Sequence, residues 1–468
     1  MPTPSTGAEL EGLLRDSLSE ASDRRERTVV SVTVPFSCDD PIATVFASRR
    51  AGEPFFCWEQ PDRDLKLAAL GQVHEISSRG PERFVEVAAD CAHLSGDAVL
   101  RGTGGFTTGP VWTGGFAFED GTVSERLPDP AWSSFGPASM ILPELAIQSS
   151  EAGTFLTLNL VTAPGRDPED LAAPALARVA GLIHGELPMI DPHPTVTPEI
   201  ESARSPESYE RSVANAVERI RAGEIEKVVL AREVIVRAGS AHDPAAIFHA
   251  LRQGFPSCFN FCVGTGEAAF IGASPELLVR CAGRSVATVG LAGSTRRSSD
   301  PAVDDHLAQQ LLLSGKDRGE QEVVVRRIVK TLSRISVWVE AEKEPEIIKV
   351  ANIQHLGTPV YAQLAQPRTA IELAGLLHPT PAVGGEPWKK ASKVMAEVEE
   401  MDRGWYAGPV GWMDGSGDGE FCVALRSALI RDREAHLFAG VGVVADSDPA
   451  AELAETEIKL DALLPLLS

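Results

Sequence analysis

Apolar residues recur along this chain in two rhythms. Leu10, Leu13, Leu14 and Leu18 fall three and four apart, which predicts a polar, partly helical lead-in running to about Arg27. The first half then turns strand-like. Thr28 to Val34 is β-branched, Phe55-Phe56-Cys57-Trp58 is a compact aromatic run, and Thr113 to Phe118 reads as a strand entered through glycines. Leu171 to His184 returns to helical spacing. The stretch Pro188 to Pro198, with Pro192 and Pro194 inside it, reads as an extended linker and divides residues 1–198 from 199–468. Beyond it, Ser205-Pro206-Glu207 opens a helix with Val213, Val217 and Ile220 on one face, followed directly by a strand from Lys227 to Val236. Cys258 to Val263, Ala269 to Gly272, Glu276 to Arg280 and Ser285 to Gly290 predict an antiparallel meander. Helical stretches over Asp304 to Ser333 and Pro387 to Arg403 come next. A hairpin over Asp414 to Gly419, a strand from Ala435 to Val444 and a last helix from Pro449 complete the pattern. There is no internal repeat. The elements predict an α+β fold with a large antiparallel sheet, not a series of βαβ units.

Charge and composition narrow the function classes. The chain has 468 residues, 66 acidic and 43 basic, for a formal net charge of −23, so it lacks the basic footprint of a nucleic-acid binder. With 43% hydrophobic residues it can bury a sizeable core. No apolar run approaches the roughly 18 residues needed to span a bilayer. The start, Met1 to Thr6, is polar and unlike a secretory signal. Seven scattered cysteines do not make a disulfide framework, and a reduced, cytoplasmic protein is expected. Nothing in the periodicity demands association, so a monomer is expected. Several features are decoys. Gly102-Thr103-Gly104-Gly105 and Ser314-Gly315-Lys316 match no phosphate-binding pattern and read as a turn and a helix surface. Cys258 and Cys262 have no second ligand pair and read as buried small hydrophobes.

Four segments hold charge where a purely structural element would not want it. Lys227 enters an otherwise Val- and Leu-rich strand; it is either a solvated strand end or a desolvated amine able to act as a base. Glu276 follows a turn into an apolar strand, where it either pairs with an Arg or stays protonated by burial and serves as an acid. Asp317 and Glu320 share a helical face, as do Glu452, Glu455 and Lys459. Taken singly these two helices read as solvated surface. Facing each other, they would make a hard oxygen site suited to Mg²⁺.

In order along the C-terminal 260 or so residues stand KVVLARE, ASPELLVR, LAGSTRR, KDRGEQ, HLGTPV, LHPTPAVGG, GWYAGPVGW, FCVALRSALI and AGVGVVADSDPAAELAETEIKL. Through them the chain resembles the chorismate-utilising enzymes, and among these the isochorismate synthases of menaquinone and siderophore pathways. The first half matches more loosely, through FFCWEQP and WTGGFAF. The resemblance implies large antiparallel sheets flanked by helices, the site between the layers, and residues 1–198 contributing strands to the same fold. It implies chorismate as substrate, Mg²⁺ as cofactor, Lys227 as the base that activates water and Glu276 as the acid. Glu320 and Glu455 fall on metal-ligand positions, with Asp317 and Glu452 as nearby partners. Gly293, Ser294, His355, Ala382, Tyr406, Arg426, Gly440, Gly442 and Lys459 fall on substrate-binding positions. Arg426 and Lys459 suit a dicarboxylate, as a planar fork and a point charge. Ammonia-using relatives carry Gln in place of Lys227 and rely on an amidotransferase, so no such subunit is expected. Salicylate synthases carry Thr where this chain has Ala382 and Gly-Thr in place of Gly293-Ser294, so the reaction is expected to stop at isochorismate. One departure is Gln321, where relatives often carry His.

Overall fold

A computed structural model describes residues 4–102, 104–107, 109–121, 130–191, 196–351 and 353–467. Its frame is two large sheets, one of 13 strands and one of 10. Both are built from both ends of the chain. The larger runs from Glu199–Ser202 through Lys227–Arg237, Glu434–Val443, Ser427–Arg431, Ala269–Ser274 and Phe259–Gly264 into the first-half strands, where Phe55–Gln60 is the seam. In the smaller, Pro409–Asp414 pairs with Val111–Phe116 across the same divide. Among the described residues the one parallel pairing joins Thr28–Pro35 to Val99–Arg101. Positions 192–195 of the expected linker lie outside the described residues.

The period-two alternation of strands sorts side chains into two cores. On Phe55–Gln60, Phe56 and Trp58 face the core between the sheets, while Phe55 and Cys57 face a second core under the helices. Phe259 and Phe261 likewise point inward and Cys262 outward. The lead-in helix Pro4–Ser22 closes that outer core with Leu10, Leu14 and Leu18. Cys258 and Cys262 sit in the same apolar layer, where burial pushes the Cys258 thiol up to about 12. They are small hydrophobes, as the sequence suggests. No described helix is long and apolar enough to cross a membrane.

The structure differs from the sequence reading in two places that matter for the site. The meander is not one sheet. Ala269–Ser274 belongs to the larger sheet and Leu277–Ala282 to the smaller, so the chain passes between the layers at Pro275-Glu276. The helical stretch Asp304 to Ser333 is two helices, Pro301–Leu313 and Gly315–Leu332, because Ser314 takes an extended backbone and its hydroxyl accepts the Asp317 N–H.

Candidate active site

A cavity of about 840 Å³ opens between the sheets and is closed by the helices Gly315–Leu332 and Pro449–Leu460. Fourteen of the fifteen residues singled out from the sequence line it; Lys227 alone does not. Its strand is paired on both edges, Lys227 with Glu386 and Val228 with Val443, so the side chain must point into the protein. It is fully buried, which disposes of the solvated-strand-end reading. The ammonium stands 2.7 Å from Glu320 Oε1, close but not aligned as a hydrogen bond, and reaches the cavity through that carboxylate. Gly442 makes the room. A Cβ there would fall 2.1 Å from Glu320 Oε1 and 2.8 Å from Lys227 Cε.

Glu276 occupies the crossing between the sheets. Its N–H donates to Ser274 Oγ at 3.2 Å and its carbonyl accepts the Val423 N–H at 3.0 Å, so the backbone is pinned from both sides. Burial pushes its carboxyl up to about 8, against the opposing pull of Lys227, Lys459 and Arg426. At neutral pH it carries its proton.

One end of the cavity is cationic. Arg426 is buried on a left-handed backbone, φ +49°. Its Nη2 donates to His355 Nε2 at 2.6 Å, and His355 Nδ1 donates to the Gly293 carbonyl at 3.2 Å. Burial, with Arg426 and Lys459 nearby, holds the imidazole well below its usual range, so it accepts this bond as a neutral ring. Arg426 Nη1 is buried with no hydrogen-bond partner. An orphaned guanidinium donor in a cavity is costly unless an anion meets it there. Lys459 donates to the Gly440 carbonyl at 2.9 Å, while Tyr406 stacks on Phe438 with ring centres 5.2 Å apart. Gly293 (φ +71°) is held where a Cβ would meet Asp317 Cβ at 2.9 Å, which fixes the turn carrying Ser294 against the helix.

The other end is acidic. Asp317 and Glu320 project from one helix, Glu452 and Glu455 from the other. The N-caps Ser314 and Asp448 start these helices and thereby set the faces. Lysines meet the glutamates: Lys227 at Glu320, Lys316 at Glu452 (2.7 Å) and Lys459 at Glu455 (2.8 Å). Ser294 Oγ also donates to Glu455 at 2.6 Å. Burial pushes the Asp317 carboxyl up, and the like charges of Glu320 and Glu455 add to it. Burial would push Glu455 up too, but Lys459 and Ser294 outweigh it and hold that carboxyl below the usual range. Among the described residues no three His, Cys, Asp or Glu side chains converge on one ion as they stand. The donor set is nevertheless all hard oxygen, four carboxylates from two facing helices in the wall of one cavity. They fit a divalent cation once a lysine yields. Gln321 turns away to the Gly290 carbonyl and the Thr358 hydroxyl, so it does not crowd this end.

Sequence reasoning missed Lys316 and Arg403 as site residues. The segment Ser314-Gly315-Lys316, read as a plain helix surface, instead starts the acidic helix and puts Lys316 in the cavity wall. Arg403 lines the cavity behind the substrate-binding positions. It pairs with Glu399 through two bonds (2.6 and 2.7 Å) and donates to the carbonyls of Val383 (2.8 Å) and Val229 (3.0 Å). It thus ties the Lys227 strand to the loop bearing Ala382. The only hint was a charged residue at a predicted helix end; the helix in fact stops at Val398.

The chain has relatives among known proteins. A family model described as "Chorismate binding enzyme" matches residues 16–468. The chain is 34% identical to the salicylate biosynthesis isochorismate synthase of Pseudomonas aeruginosa, over 98% of this chain and 94% of that protein. It is 30% identical to the isochorismate synthase MenF of Bacillus subtilis, over 96% of each. Among solved structures, the menaquinone-specific isochorismate synthase MenF of Escherichia coli superposes with a TM-score of 0.79 at 26% identity, covering 98% of this chain and all of that one.

Proposed function

The chain belongs to the chorismate-binding enzymes, and we propose that it is an isochorismate synthase, converting chorismate to isochorismate by adding water at one ring carbon while hydroxyl leaves from another. The observation that carries this reading is a carboxyl kept protonated at neutral pH, Glu276, in one cavity with an unpaired buried guanidinium, while the buried Lys227 reaches that cavity through Glu320. A dicarboxylate that must lose hydroxyl needs that set.

The residues divide the work. Arg426 Nη1 takes one substrate carboxylate and Lys459, with Tyr406 beside it, backs the same end. Lys227, in its neutral amine form, takes a proton from the attacking water. Glu276 gives its proton to the departing hydroxyl, so the carbon–oxygen bond breaks without releasing free hydroxide. Glu320 and Glu455, with Asp317 and Glu452 nearby, would hold Mg²⁺, which when bound supplies the positive charge that fixes the ring carboxylate. Ala382 presents only a methyl to the ring, which favours stopping at isochorismate over elimination of pyruvate.

Product analysis tests the assignment. Purified protein with chorismate and Mg²⁺ should give isochorismate with or without ammonium. Salicylate with pyruvate, or an aromatic amine that requires ammonium, would replace it with another member of the family.

A further inference from the structure

The three lysines at the acidic end are not equivalent. Lys227 is fully buried, and Lys459 is tied to the Gly440 carbonyl as well as to Glu455. Lys316 has neither restraint. Its side chain is 35% exposed, while its partner Glu452 is 2% exposed. Lys316 and Glu320 also stand in the wall of a second cavity, of about 1130 Å³, on the outer side of the helix. That cavity carries Glu224 and Asp446, carboxylates able to receive an ammonium that swings outward, along with Lys390 and with Glu226, which Arg326 already holds at 2.7 Å.

From this we propose that Lys316 is a built-in counter-cation, holding the divalent-ion site closed in the metal-free protein and withdrawing into the second cavity when the ion enters. The inference rests on the reading of the four carboxylates as a magnesium site. Charge balance supports it. With Lys316 in place, four carboxylates face three ammonium groups. With it withdrawn the carboxylates lose that positive charge, which an entering divalent ion more than replaces. Coulomb repulsion between an ammonium and a dication at shared carboxylates makes the two occupants exclusive. The lysine therefore taxes metal affinity while keeping Glu452, an almost fully buried carboxylate, from standing unpaired.

Calorimetric titration of MgCl₂ into the metal-free, full-length protein without chorismate tests this directly, with Mn²⁺ binding followed by electron paramagnetic resonance as a second readout. Lys316→Met should bind Mg²⁺ about tenfold more tightly than the natural chain, or about 1.4 kcal/mol. Lys316→Arg, which keeps the charge, should bind like the natural chain. Circular dichroism confirms the fold, and Lys316→Gln serves if Met at this position misfolds. Equal or weaker binding by both neutral variants, with the natural chain binding normally, overturns the counter-cation. Absence of Mg²⁺ and Mn²⁺ binding in the natural chain and the variants alike overturns the magnesium reading beneath it.

Discussion

The two ends of the cavity solve opposite electrostatic problems. At the acidic end, each glutamate is answered by a lysine of the same chain, and Asp317 by the Ser314 hydroxyl. At the cationic end, Arg426 has a neutral imidazole for a partner and one nitrogen with none. The first end is met from within, four carboxylates by three lysines and a hydroxyl. The second stays unsatisfied until an anion arrives. On the proposed reading the unmet guanidinium nitrogen takes substrate, and the met carboxylates must be freed before an ion enters. Between the two ends sits Glu276, neutral because burial outweighs the cations around it.

The contrast can be broken in order of expected effect. Lys227→Ala and Glu276→Gln remove the two halves of the proton traffic and should each lower kcat by about 10³-fold with little change in KM, as steady-state assays would show. Near-normal rates in either would remove that residue from the chemistry. Arg426→Gln takes away the unsatisfied donor, so kcat/KM should fall by roughly 100-fold, mainly through KM, in keeping with a charged hydrogen bond of about 1.5–3 kcal/mol. A loss confined to kcat would place Arg426 elsewhere in the cycle. Arg403→Lys keeps a cation beside Glu399 but cannot hold the Val229 and Val383 carbonyls together; a loss of about tenfold in kcat is expected, with Arg403→Gln worse.

The smallest effect is on pH and stability. With its carboxyl held up to about 8, the folded chain keeps a proton on Glu276 that the unfolded chain has already released above its ordinary value of 4.5. Raising the pH through that window therefore costs stability, and above about 8 the acid is spent. The kcat profile should fall on the alkaline side near that value. Glu276→Gln should be inactive yet melt about 2 °C higher than the natural chain at pH 8, the gap vanishing towards pH 4. An unchanged or lower melting temperature at pH 8 would mean that burial does not strain this carboxyl.

Much of the frame was legible because local rules govern it. The Pro206–Arg221 helix follows its Ser-Pro start, and the Lys227–Arg237 strand its β-branched run. Lys227 and Glu276 were legible as charged groups entering apolar strands, and the other site residues through the resemblance carried by the ordered motifs. What escaped depends on tertiary choice. Nothing local tells a chain to leave one sheet for another at Pro275-Glu276, since both neighbours read as strands. The break at Ser314 hides in helical periodicity because one serine both ends a helix and caps the next. Arg403 and Lys316 escaped for a related reason: an arginine or lysine near a helix end is usually solvated, and only the fold reveals the carbonyls or carboxylates that claim it.

In the proposed reaction water, activated beside Lys227, supplies the new ring hydroxyl while Glu276 protonates the old one. Turnover of chorismate in ¹⁸O-labelled water, read by mass spectrometry, tests it most directly. The expected product is isochorismate carrying one heavy oxygen per turnover, on the ring. Isochorismate formed without label would mean the original hydroxyl migrates, and the paired roles of Lys227 and Glu276 would be wrong.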